Sequence, residues 1–566
     1  MTTLLPWAFL FTIPGLVLTA LGFGKRPGMA SLFGPLAVGV AGLVWLLGDH
    51  VAIGFTIPEW FPLLPDPTFS LRVDGLAALM LAVVGLVSFC VYVYSLSYMH
   101  GDPGQRRFFC YLDFFVAAMT LLVLGGNLSV LLAGWAGVGL ASFLLISFWR
   151  DKPHTLRAGL QALGANAVGD ATLLLAAALM PFGMGDLLKL GEASSGFPGG
   201  ATALGWLIVI AASAKSAQGL LYFWLPSAMA GPTPVSALIH AATMVAAGVY
   251  LLVRTSGLLA LAPAVLHATA WIGAITALLS SFASLSQKNY KRGLAYSTCS
   301  QLGYMFAAVG FGAPFAAFFH LVTHASFKAL LFLCAGAVIH AAHGEEELAK
   351  LSGLRQKLPQ IMLLSLIGSL ALCGVPVLTS GAFSKDLILE AGREHMPTLG
   401  WLLLGSVFLT GLYTGRLWFG VFGSATPQGD GPGAHPVHEP DRLMVWPLVP
   451  LAIGALLLGW AGPWMGAVLT PLLGKAPEIH AISTLGWIAG GLGLGGFLVA
   501  ALWQAKRHGA ARLPTFGIPF AEILALPGQA IAALCAVMHS GRLGFYMFTS
   551  VLGVGMVLLW SLTRHS

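Results

Sequence analysis

Apolar runs of about 20 residues follow one another along nearly the whole chain, each the length of helix that crosses a bilayer's hydrocarbon core. In lipid every backbone N–H and C=O must be satisfied inside its own segment, so such runs fold as a bundle of spanning helices. Composition agrees, with 57% of the 566 residues hydrophobic and only 9% charged. The pattern lays out about sixteen segments, centred near Leu16, Leu43, Val84, Ala117, Leu140, Leu173, Ile210, Thr243, Ile275, Gly303, Leu330, Leu366, Val407, Ala455, Gly491 and Leu552. The fold class is an all-α polytopic membrane protein.

Charge supports this layout. Seventeen Lys and Arg residues fall in odd-numbered loops, among them Arg106, Arg107, Lys152, Lys291 and Arg292, and five in even-numbered ones. This asymmetry predicts cytoplasmic odd loops and both termini on the opposite side. The net charge of +7 is read through topology and implies no nucleic-acid partner. The first apolar run precedes Lys25 and Arg26, so it reads as a retained helix, because a signal peptide carries its positive charge before its apolar core. The six cysteines stand singly in or beside apolar runs, with no CxxC, and suggest neither disulfides nor a metal or iron–sulfur site.

Two segments are irregular. Segment seven leads into Lys215-Ser-Ala-Gln218 and then Pro226, Pro232 and Pro234, before His240. Segment twelve runs into Cys373-Gly374-Val375-Pro376 and then Ser384-Lys385-Asp386. Prolines remove backbone donors, and in a membrane such breaks are tolerated where protein or water meets the freed groups. Interrupted segments five helices apart predict two inverted five-helix repeats with broken helices seven and twelve. The division is residues 1–107 for helices one to three, 108–254 for the first repeat, 255–423 for the second and 424–566 for the last helices with a shortened connector.

Ionisable residues inside apolar runs are costly and so point to function. They are Asp113, Asp170, Lys215, His240, His320, His324, Lys328, His340, Lys385 and Asp386. His320, His324 and Lys328 at i, i+4 and i+8 form one stripe that could relay protons. A plainer role is expected for His267 and His340, as hydrogen-bonded packing residues, and Lys385–Asp386 could be an ion pair at a helix end. The Gly490–Gly496 run lies within a segment and reads as a helix-packing surface rather than a nucleotide loop. Ser424–Asp441, with His435 and His438, reads as a connector rather than a metal site. The tail Ala505–Gly541 could make at most about 55 Å of helix. No P-loop, dinucleotide, haem or flavin motif is present, nor a nucleophile–base constellation, so no cofactor is expected.

The runs GPTPVSALIHAATMVAAGVYLLVR (Gly231–Arg254), YKRGLAYSTCSQLGYM (Tyr290–Met305), HLVTHASFKALLFLCAGAVIH (His320–His340) and SGAFSKD (Ser380–Asp386) resemble the antiporter-like membrane subunits of respiratory complex I, of the subunit L or subunit 5 type. Mrp-type sodium/proton antiporters and a bacterial inorganic-carbon uptake complex hold related proteins. The likeness covers roughly residues 75–425. It implies that Lys215 holds a proton on broken helix seven, with Asp170 near it. His240 would link the halves, His320, His324 and Lys328 would form the central relay, and Lys385, followed by Asp386, would stand near the exit. The sequence departs from the family in three places. Ala136 in Gly134-Trp135-Ala136-Gly137 stands where the family has a glutamate, so Asp113, or Asp170 alone, would have to partner Lys215. Asn289 replaces a frequent aspartate, and the tail is too short for the family's long lateral helix.

The resemblance implies a proton-translocating subunit of a complex I-like NADH:quinone oxidoreductase in a bacterial inner membrane, with both termini periplasmic. Such a subunit does no redox chemistry itself and works beside other membrane subunits. The alternatives are an ion-coupled transporter subunit, either Mrp-like or for inorganic carbon, and a scaffold that lost conduction with the glutamate.

Overall fold

The computed structural model describes residues 2–22, 27–60, 66–423, 437–474 and 482–505. Segment sixteen, Lys25, Arg26, His435, Cys535 and nearly all of the tail lie outside the described residues. The longer helices are α1 (Ile13–Ala20), α2 (Phe33–Leu46), α3 (Gly75–Tyr98), α4 (Gln105–Leu124), α5 (Leu128–Ile146), α6 (Pro153–Leu179), α7 (Gly200–Lys215), α8 (Thr233–Ala241) and α9 (Met244–Arg254). They continue with α10 (Pro263–Ser286), α11 (Tyr290–Gly310), α12 (Pro314–Ala341), α13 (Pro359–Cys373), α14 (Ser380–His395), α15 (Pro397–Phe422), α16 (Leu448–Leu457), α17 (Gly462–Leu473) and α18 (Thr484–Ala505). One antiparallel ribbon, β1 (Ile53–Ile57) with β2 (Phe69–Val73), departs from the all-α expectation. Its register runs from Ile53 opposite Val73 to Ile57 opposite Phe69.

Among the described residues, 11 helical stretches are long and apolar enough to span a membrane. Three shorter apolar ones, Leu4–Ala20, Ala30–Leu46 and Pro359–Cys373, accompany them. The helix at Gly303 has 21 residues yet is too polar to qualify, carrying Lys291, Arg292, Ser297, Thr298 and Gln301. Almost all of it is buried, so it faces other helices rather than lipid and need not be apolar.

Helix α12 is the hub. It packs against α3, α8, α9, α11, α13, α14 and α16, and nearly every side chain from Phe315 to Ala341 is buried. No lipid-facing side remains, which is why this helix can hold His320, His324 and Lys328 in its buried middle. Helices α15 and α18 approach through glycine: a Cβ on Gly411 would lie 1.9 Å from the Gly493 carbonyl oxygen. The Gly490–Gly496 run is thus a helix-packing surface.

Three helices stop inside the bundle. After α7, Ala217 and Gly219 take left-handed φ values of 52° and 58°, turning the chain sharply. The Trp224 indole N–H donates to the carbonyl of Ala214 at 2.9 Å and satisfies one freed helix-end acceptor. Helix α13 ends in Gly374 at φ 77°, with N–H groups of Gly374 and Val375 both donating to Leu370 O, a glycine-terminated cap. The third helix end follows α8 at Ala242–Thr243. No proline or glycine marks it, and the Thr243 hydroxyl donates to Leu238 O at 2.6 Å in its place.

Candidate functional site

Lys215 is the last residue of α7 and is fully buried. Its Nζ lies 3.5 Å from Asp170 Oδ1 on α6 and 5.3 Å from the centre of the Trp135 ring on α5. The separation makes an ion pair without a well-directed hydrogen bond. The end of a helix carries partial negative charge, and an aromatic face attracts a cation, so both favour an ammonium here. Gly139, one turn beyond Trp135, leaves the room: a Cβ there would stand 2.9 Å from Nζ. Ala136 is exposed on the outer side of α5, so the position where the family has glutamate points away from this pocket.

Asp113, the other candidate partner of Lys215, is placed elsewhere. Its Oδ2 accepts from the Ser31 hydroxyl at 2.5 Å, Ser31 is bonded to Thr19 at 2.8 Å, and the Tyr92 hydroxyl is close by. It joins α4 to the first three helices, and the carboxylate beside Lys215 is Asp170.

Gln218 follows Lys215 on the extended turn and reaches across to α11, its amide donating to the carbonyl of Cys299 at 3.2 Å. Near this point of α11, Ser297 Oγ accepts from the fully buried Lys328 Nζ. His240 on α8 lies within electrostatic reach of Lys328, and its ring stands 4.5 Å from that of Phe332. Along α12 the rings of His320 and His324 are 6.1 Å apart. His320 Nδ1 pairs with Ser384 Oγ at 2.9 Å and Nε2 with Gln301 Oε1 at 3.2 Å, while Thr323 also bonds Ser384 at 2.9 Å.

Lys385, one residue along α14, donates to the carbonyl of Leu372 near the C-terminus of α13 and lies 5.9 Å from the Tyr304 ring centre. Asp386 faces the other way. It accepts from the Ser483 N–H at 2.8 Å and hydroxyl at 2.5 Å, holding the first turn of α18. The two residues do not form an ion pair.

Sequence reasoning noted Gln218 in the irregular stretch but missed Ser297, Gln301, Thr323 and Ser384. Neutral hydroxyls and amides are common in helices, and nothing in their spacing sets these apart. Asn289 gains from the change noted above: its Oδ1 accepts from Arg292 N at 3.0 Å, and its amide donates to Glu346 at 2.8 Å, which an aspartate could not do. Glu346 also pairs with Lys291 at 2.6 Å. His267 is exposed rather than packed. His340 bonds His438 at 3.1 Å, and Ser97 donates to Asp441 at 2.9 Å, so the described end of the connector is fixed to α12 and α3. Among the described residues no group of three or more His, Cys, Asp or Glu is arranged to hold a metal.

The family profile described as NADH:quinone oxidoreductase/Mrp antiporter, TM, matches residues 125–410, and one for the complex I chain 5 N-terminus matches residues 60–109. NADH-quinone oxidoreductase subunit L of Escherichia coli K12 is 40% identical over 518 residues, covering 87% of this chain and 82% of the relative. The likeness thus extends well past residues 75–425. NADH-ubiquinone oxidoreductase chain 5 of Metridium senile is 43% identical over 397 residues, covering 69% of this chain and 66% of the relative. A solved structure, that of the Mrp complex from Dietzia sp. DQ12-45-1b, superposes with TM-score 0.77 at 26% identity over 99% of this chain. This chain spans 63% of the length of that one. The buried lysine–histidine line and these likenesses lead to one assignment: the chain belongs to the NADH:quinone oxidoreductase/Mrp antiporter family of multi-pass membrane subunits.

Proposed function

We propose that this chain carries protons across a bacterial inner membrane as the subunit L-like member of a complex I-like NADH:quinone oxidoreductase. Redox energy released on other subunits drives it, and it binds neither NADH nor quinone itself. The path is Asp170 and Lys215, then Gln218 to α11, the group of His240, Lys328, His324 and His320, and Lys385. In this reading the termini face the periplasm, about sixteen helices cross the membrane, and residues 108–254 and 255–423 are inverted repeats around broken helices seven and twelve. Asp386 stands at the exit end as a brace for α18.

The observation that carries the reading is the burial of Lys215, Lys328 and Lys385, each turned onto polar groups of the bundle and none onto lipid. Two features supply the chemistry. Hydroxyl, amide and imidazole groups between the lysines both donate and accept, so a proton can be handed along them with intervening water. Among the described residues no carboxylate bonds or ion-pairs with Lys328 or Lys385. A proton on one therefore repels a proton on the other across a low-dielectric interior, so charge moves in turn rather than accumulating.

An Mrp-like antiporter subunit is the second reading, favoured by the Dietzia sp. structure. The scaffold reading is weakened by Asp170, which supplies the carboxylate that Ala136 lacks. The test is proton uptake into vesicles holding the assembled complex, followed with a pH-sensitive dye. Lys215→Ala and Lys385→Ala should each lower it at least tenfold with assembly intact. Unchanged uptake in both variants would favour the scaffold, and a strict sodium requirement the antiporter.

A further inference from the structure

Away from the buried line, a cavity of about 240 Å³ opens where the α5–α6 turn, the stretch before α8 and the α10–α11 turn meet. It is well above the ~10–15 Å³ of probe-occupied volume that one water needs. Lys152, His154 and Arg292 line it. The carboxylate in its wall, Glu346, is already engaged by Lys291 at 2.6 Å and Asn289 at 2.8 Å. Positive charge is therefore in excess at the mouth.

Its construction favours an anion. Helix α6 is 27 residues long, begins at Pro153 beside the cavity and has no side-chain cap, so the positive end of its dipole lies near the cavity. The Lys152 ammonium lies 4.6 Å from the centre of the Trp149 ring, which holds it at the wall. The α5–α6 turn is itself pinned by the Thr155 hydroxyl, which donates to Trp149 O at 2.6 Å and Lys152 O at 2.8 Å. Trp149 and Met229 give the cavity an apolar side. It stands beside the end of α5 and the starts of α6 and α11, and a helix long enough to span the hydrocarbon core ends at headgroup level.

We propose that this cavity binds a phosphate-bearing group through Lys152, His154, Arg292 and the start of α6. The phosphate of an anionic phospholipid and free inorganic phosphate share that chemistry. A ligand here would touch Met229, in the stretch joining Lys215 to His240, and so would stiffen the link between the two.

The test is thermal unfolding of the full-length protein in nonionic detergent, titrated with short-chain phosphatidylglycerol, short-chain phosphatidylcholine or inorganic phosphate. Phosphatidylglycerol should raise the Tm saturably. Lys152→Gln and Arg292→Gln should each move its titration midpoint at least tenfold higher, while Arg355→Gln, an exposed cation outside the cavity, should leave it unchanged. The same variant-sensitive rise with inorganic phosphate alone would support the site and identify free phosphate as its source. The proposal is overturned if neither phosphate source raises the Tm, if both cavity variants keep the wild-type midpoint, or if phosphatidylcholine acts as well as phosphatidylglycerol.

Discussion

Lys215 and Lys385 each bring an ammonium to the C-terminal end of a helix that stops inside the bundle, and there the likeness ends. Lys215 has a carboxylate at 3.5 Å, an aromatic face and a glycine that makes room for it. Lys385 has a backbone carbonyl and the Tyr304 ring, and its adjacent aspartate is turned onto α18. A carboxylate on a neighbouring helix can approach or retreat; a helix-end carbonyl is fixed by its own backbone. In the proposed mechanism the first lysine is thus adjustable by helix movement, and the second sits at constant electrostatics until charge arrives along α12.

Replacing the carboxylates one at a time separates the two ends. The largest effect is expected for Asp170→Asn. Unit charges about 4 Å apart interact by ~4 kcal/mol at an effective dielectric of ~20. Asp170 is 29% exposed, which reduces this figure, but a loss of ~1.4 kcal/mol already corresponds to tenfold. Proton uptake by assembled vesicles should fall about tenfold, and uptake within twofold of wild type would remove Asp170 from the path. Asp386→Ala should act on structure instead. Loss of hydrogen bonds to a charged acceptor costs ~2 kcal/mol, which should appear as faster hydrogen exchange in α18 with uptake within about twofold. A collapse of uptake with α18 still protected would make the two ends alike after all. The smallest effect is expected for Ala136→Glu, because that position is exposed on the outer side of α5. Uptake should stay within about twofold, and a large change would mean that the added carboxylate reaches Lys215 in spite of its placement.

The buried cations could be picked out of the sequence because lysine and histidine are rare in apolar runs and expensive in lipid. Their partners could not. Asp113 and Asp170 look alike as single aspartates in hydrophobic segments, and only packing turns one onto Ser31 and the other onto Lys215. Lys385 and Asp386 look like a pair, yet successive helix residues point about 100° apart, and each finds a different neighbour. The interruption after His240 has no proline or glycine to announce it; there α8 packs against α12 and α3, and α9 against α7 and α12.

By itself the sequence determined that this is a helical membrane protein and which scarce charges its apolar runs carry, since hydropathy and composition are local properties. The tertiary structure alone decided which of those charges meet. Partnership depends on helix rotation and crossing, and these are set by contacts between residues far apart in the chain, such as Asp170 with Lys215, Gln218 with Cys299 and His320 with Ser384.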